Sequence, residues 1–339
     1  VLITGAAGEI GHGLIDHLSR HSSSEIVTLD LQQMPPELAP MVTAEYTGSV
    51  LDNELLQQIF ADHDITTVHH LAALLSTSAE HRPLLAHQVN VEGTLKLLAV
   101  VQEVGERLQH PVTFLYPSSI AVHGLPDLVT KEQAGRLKEG QWLTPTTIYG
   151  ANKLYCEQLG YYFSRYYRQL DPQPPTRWTD FRAIRFPGLI SALTLPTGGT
   201  SDYAPEMIHA AARGAPYSCF VRPDTRIPFM AMPDAVTALV RLAQAPRQAL
   251  TQHVYAITAF NPSAAEIRDL VLAAFPEASI DFAVDAARQS IVDTWPADVD
   301  DSAARRDWGF DPSYDLQRAF TEYLIPTIRD RYLEAEPAT

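Results

Sequence analysis

The chain opens on a short β-branched apolar run, VLIT (1–4). A glycine-rich turn follows, and then Ile10, Leu14, Ile15 and Leu18 recur at the spacing of one helix face. The rhythm returns along the first half. EIVTLD (25–30), TTVHHLA (66–72) and VTFLYPSS (112–119) are near-continuous apolar runs, separated by helical stretches such as NELLQQIF (53–60). Strands without polar alternation are covered on both faces, so the pattern predicts an α/β fold: a doubly wound parallel sheet with helices on either side. MAMPDAVTALVRLAQ (230–244) followed by HVYAIT (253–258) reads as a helix and strand returning to this sheet. The expected division is therefore 1–186 plus about 229–258 as a nucleotide-binding domain. A smaller C-terminal substrate lobe would take about 187–228 plus 259–339.

Composition narrows the class. Of 339 residues, 46% are hydrophobic and 19% charged, an ordinary globular balance. No apolar run approaches the roughly 20 residues of a spanning helix. Val1 already reads as part of the first strand, so no basic-then-apolar leader is expected within these residues and the native chain is expected to begin ahead of Val1. The two lone cysteines point to a cytoplasmic setting. The net charge of −15 argues against a nucleic-acid surface. Cys156 and Cys219 stand apart from each other and from any metal-binding pattern, so neither a disulfide framework nor a metal site is expected. DPQPPTRW (171–178) reads as a loop.

Candidate chemistry begins at the first turn. Gly5, Gly8 and Gly11 would let the strand turn sharply, the backbone approach a pyrophosphate and the helix sit close on the sheet. The helix N-terminus would face the phosphates. Asp30 ends the next strand, where a carboxylate accepts ribose hydroxyls and repels a 2′-phosphate, so NAD is expected over NADP. Asp52 would either meet adenine or cap the following helix. Glu9 sits beside the expected pyrophosphate and should point out into solvent. Ala72 and Ala73 would let a cofactor pass close to the backbone, and of Ser118 and Ser119 only one can face the site, because strand side chains alternate. Tyr149 and Lys153 lie one helical turn apart. A general-base tyrosine needs its pKa lowered by about three units, roughly 4 kcal/mol. The neighbouring ammonium and an oxidised nicotinamide could supply that.

Glycine turn, Asp30, strand-end serines and YxxxK, in this order, resemble the extended short-chain dehydrogenase/reductase superfamily, which implies a Rossmann-type sheet. RFPGLIS (185–191), LPTGGTSDYAPEMIHAA (195–211), CFVRPDTRIPFMAMPDAV (219–236) and DTWPADVDDSAARRDWGF (293–310) look like the short-chain type of L-threonine 3-dehydrogenases. The likeness implies oxidation of L-threonine by NAD⁺ to 2-amino-3-oxobutyrate. Tyr149 would be the base, Lys153 would support it, and Ser119, with Ser118 second, would hold the substrate oxygen. It further implies cofactor contacts from Ile10, Leu31, Leu71, Phe186, Pro187 and Leu189. Ser76, Gly199, Thr200, Ser201 and Trp295 would surround the substrate, together with Ser119 and Tyr149. Arg185 is expected as scaffold, Arg226 is left open, and His123 is expected to pack.

Two departures qualify the resemblance. The segment around 171–180 is an apparent insertion after the helix that builds the family's dimer contact. A monomer is therefore expected, or a homodimer if the contact survives. Rival readings are a sugar-nucleotide epimerase or dehydratase and a non-catalytic NAD-binding regulator. The first usually carries an asparagine where Gly188 stands, and the second has no need of a base.

Overall fold

The computed structural model describes residues 1–196 and 198–333; Thr197 and the expected last lobe residues, 334–339, lie outside the described residues. Seven strands form the main sheet: β1 (Leu2–Thr4), β2 (Val27–Asp30), β3 (Ala44–Thr47), β4 (Thr67–His70), β5 (Val112–Ser119), β6 (Thr179–Phe186) and β7 (Val254–Ala256). Their order is β7-β6-β5-β4-β1-β2-β3, and every pairing is parallel. The order reverses between β1 and β4, and ligands of such sheets bind at that crevice.

Apolar periodicity explains how the sheet is covered. On one face, helix α1 (Glu9–His21) contributes Leu14, Ile15 and Leu18. The other face takes Leu56, Ile59 and Phe60 of α2 (Asn53–Asp62), Leu97 and Val101 of α3 (Gly93–Leu108), and Cys156 and Phe163 of α4 (Ile148–Arg165). The lobe contains α5 (Tyr203–Ala212), and its core holds Tyr203, Met207, Phe220, Phe229, Trp295 and Phe320. Helix α6 (Met232–Gln244) packs Ala235, Val236 and Leu239 beside α1. Ala303, Ala304, Trp308 and Phe310 join this nucleotide-side core, so the chain crosses back a second time. The remaining lobe helices include α7 (Ala264–Ala274), with a Ser263/Glu266 capping box, and α8 (Ala286–Thr294), capped by Asp285. The Pro-rich loop lies along α3: the Gln102 side chain donates to Thr176 O (2.7 Å) and accepts from Trp178 N (2.8 Å).

Two histidines on β4 are buried and held neutral. His70 Nε2 lies 2.9 Å from Thr94 Oγ1, which itself donates to Asn90 O, so Nε2 is the donor. Nδ1 then accepts from Thr4 Oγ1 at 2.7 Å. Burial pushes both His69 and His70 down to about 3 from an ordinary 6.5. The unfolded chain therefore binds more protons between those values. Their stabilisation is complete above pH 6.5 and is lost as pH falls towards 3. At pH 4.5 each should cost roughly 2–3 kcal/mol. Urea titrations at pH 7 and 4.5 will measure this, and His70→Gln should flatten the difference.

Candidate active site

A cavity of about 430 Å³ lies at the crevice between β1 and β4 and is walled on its far side by the lobe. Its floor is the first turn. Gly5 has φ +68°, and a Cβ there would meet Ala72 N at 2.5 Å; one on Gly11 would lie 2.2 Å from Ala6 O. The close backbone approach and the tight helix packing both require glycine. No side chain caps the N-terminus of α1, so its first-turn N–H groups remain available beside the cavity. Asp30 accepts from Ala7 N and Gln32 N, each at 3.0 Å, and so ties the glycine turn to the end of β2. An open helix terminus, a carboxylate at the second strand and small residues at 72 and 73 suit a dinucleotide. The residues that would hold it are Gly5, Gly8, Ile10, Gly11, Asp30, Leu71, Ala72, Ala73, Phe186, Pro187 and Leu189, all of which line the cavity.

The reactive wall comes from β5 and α4. Thr147 accepts from Gly150 N at 3.1 Å and starts α4, which brings Tyr149 and Lys153 to the end of β5. Alternation along β5 separates the two serines. Both line the cavity, but the Ser118 hydroxyl is committed to Glu157 Oε1, whereas Ser119 Oγ accepts from Ala121 N at 3.1 Å and lies near the Tyr149 phenol. Lys153 is buried, its Nζ donates to Pro117 O at 2.6 Å, and it lies 5.5 Å from the centre of the Tyr149 ring. Burial lowers this ammonium to about 8.

The expected acidification of Tyr149 is not present in this state. Desolvation of its hydroxyl pushes the phenol up to about 12, and the nearby Ser119 hydroxyl only partly opposes this. One of the three ammonium protons of Lys153 is directed at the Pro117 carbonyl, and among the described residues no hydrogen bond joins the ammonium to the phenol.

Glu9 also departs from expectation. It does not point into solvent: it lines the cavity, half-buried, on the side that faces Asp202. Desolvation and the facing Asp202 push its carboxyl up. Leu31 is 73% exposed and lies outside the lining, where the neighbouring Gln32 takes the place expected for it. Asp52 is exposed and accepts from Leu55 N as the cap of α2. Thr200 is buried behind the wall, its N and Oγ1 donating to Ser76 Oγ at 3.4 and 3.3 Å. Ser76, Gly199, Ser201 and Trp295 line the cavity, but the Gly199 N–H is taken by Asp202 Oδ2 at 2.6 Å. Asp202, Leu75, Pro117 and Ile120 also line the cavity. Asp202 carried a signal, since it closes the GGTSD segment.

The remaining residues behave as scaffold. Arg185 is buried against Glu157, its Nε and Nη2 donating at 2.8 and 2.6 Å, and its Nη1 donates to Glu139 O. Arg226 pairs with Glu266 away from the cavity. His123 is buried with Nδ1 2.8 Å from Gln141 O, and burial lowers it to about 4. Among the described residues no group of acidic, histidine and cysteine side chains could hold a metal, and no helix is long and apolar enough to cross a membrane.

Known proteins resemble this chain in sequence and in fold. The mitochondrial L-threonine 3-dehydrogenase of Bos taurus is 35% identical over 331 residues, covering 96% of this chain and 81% of its own length. A monomeric L-threonine 3-dehydrogenase from a metagenome superposes with a TM-score of 0.84 at 32% identity, covering 97% of this chain and 99% of that one. An L-threonine dehydrogenase from Clostridium difficile gives 0.85 at 30% identity, covering 97% of both chains. Residues 1–258, which carry the glycine turn, both serines, Tyr149 and Lys153, match one family model, so this chain belongs to the NAD dependent epimerase/dehydratase family.

Proposed function

We propose that the chain oxidises the 3-hydroxyl of L-threonine to give 2-amino-3-oxobutyrate, with NAD⁺ becoming NADH and one proton released. The observation that carries this reading is the meeting of Ser119, Tyr149 and Lys153 on one wall of the cavity, with the buried Lys153 ammonium 5.5 Å from the centre of the Tyr149 ring. Bound NAD⁺ would supply the hydride acceptor and the positive charge that the site lacks. Tyr149 takes the hydroxyl proton and Ser119 holds the oxygen that loses it. Lys153 keeps cationic charge near the phenol. The buried indole of Trp295, together with Ser76 and Ser201, shapes a wall for a small amino acid. Relatives similar over nearly the whole chain are named for this reaction.

Formation of NADH followed at 340 nm against L-threonine, its 3-epimer, L-serine and UDP-galactose is the direct test. Turnover of L-threonine above the others is expected; conversion of UDP-galactose without threonine oxidation would establish the sugar-nucleotide rival instead.

Asp30 sets the dinucleotide preference in this reading. Asp30→Ala should lower the preference for NAD⁺ over NADP⁺ about tenfold, because the ribose hydrogen bonds and the repulsion of a 2′-phosphate go together. The ratio of kcat/KM values for the two cofactors measures it. We also read the chain as a monomer, since the inserted loop lies on α3 beside the helix that would form the family's dimer contact. Light scattering should give the mass of one chain.

A further inference from the structure

The substrate wall around Gly199 and Ser201 is a strap between two bodies. From the nucleotide side, Thr77 Oγ1 donates to Gly198 O at 2.9 Å and Ser76 receives both donors of Thr200. On the lobe side the strap is held by one cation. Arg288, on α8, donates from Nη2 to Gly199 O at 2.7 Å and to Gly198 O at 3.4 Å. Its guanidinium lies 3.2 Å from the centre of the Phe220 ring in the lobe core. Its Nε is buried with no partner, so the group is held for these carbonyls at a cost in desolvation. Arg288 does not line the cavity.

We infer that Arg288 is a positioning residue for substrate: it fixes the Gly199–Ser201 wall through the strap's carbonyls and sets affinity for the small amino acid without touching it. Gly198 sits at φ +84°, and a Cβ there would meet nothing within 4 Å, so that side of the turn is open. Two N–H groups on a rigid plane, stacked on Phe220, give a register that a single flexible donor cannot. The same helix leads directly into Trp295, so α8 sets the roof and the strap together. A loss at Arg288 should therefore change substrate binding and leave the dinucleotide floor, built from β1, β2 and α1, as it is.

The inference rests on the proposed threonine oxidation, and the two fail differently. If the wild-type chain does not oxidise L-threonine, the proposed function fails. If it does, Arg288→Met is expected to raise the KM for L-threonine about tenfold. The kcat should change by less than about threefold, since binding is lost equally in ground and transition states. Affinity for NADH, from its fluorescence titration, should be unaltered. Arg288→Lys, which keeps one donor, should recover part of the KM; it also carries the test if the methionine variant does not fold. An unchanged KM in folded Arg288→Met, or in Arg288→Lys where methionine does not fold, overturns the inference. So does a parallel loss of NADH affinity and threonine affinity, which would mark Arg288 as general scaffold.

Discussion

Tyr149→Phe is expected to lose about a thousandfold in kcat while retaining the dinucleotide affinity of the wild type. The ring stays in place, so packing in the wall is preserved and only the proton acceptor is removed. Burial holds the phenol at about 12, above the ordinary 10, so a proton cannot leave it at neutral pH until positive charge arrives. In the wild type, kcat/KM should rise with pH as the phenol ionises, and the residual activity of the phenylalanine variant should not follow that rise. Ser119→Ala should cost less, because it removes a hydrogen bond and not the base. Single-turnover rates with NADH titrations on the same samples separate the two effects. A phenylalanine variant within about tenfold of wild type would remove Tyr149 from the role of base.

Arg185→Met should lower the unfolding free energy by about 3–5 kcal/mol. Glu157 and Arg185 are both buried, and their two hydrogen bonds join α4 to β6. Removing the guanidinium leaves a carboxylate inside the core with only the Ser118 hydroxyl to satisfy it. Replacing both, as Arg185→Met with Glu157→Leu, should recover most of the loss, since a buried ion pair contributes little net stability beyond an apolar pair. Chemical denaturation of the three variants tests this. The pair also bears on the site. Glu157 lies one turn beyond Lys153 on α4 and binds the serine next to Ser119, so it sets the height of α4 against β5. The single variant should therefore lose activity as well as stability, and the double variant should regain stability first.

The Tyr–Lys spacing, the three glycines and Asp30 were legible because each is a local pattern whose geometry follows from one strand, turn or helix. The doubly wound parallel sheet was legible for the same reason, most of its strands being apolar and separated by helical periods, whereas the strand order came from the structure. Alternation showed that the two serines must diverge, but which one is committed elsewhere depends on where Glu157 stands, a residue of another element.

The chain's own order of residues determined the sheet, the phosphate-facing turn and the candidates for proton transfer. Tertiary structure alone decided the direction of Glu9, the withdrawal of Thr200 behind Ser76, the capping role of Asp52 and the role of Arg288. It also decided the sign of the Tyr149 shift. The physical reason is one of range. Backbone periodicity and turn chemistry act over a few residues, whereas desolvation and pairing depend on how a lobe distant in sequence settles over the cleft.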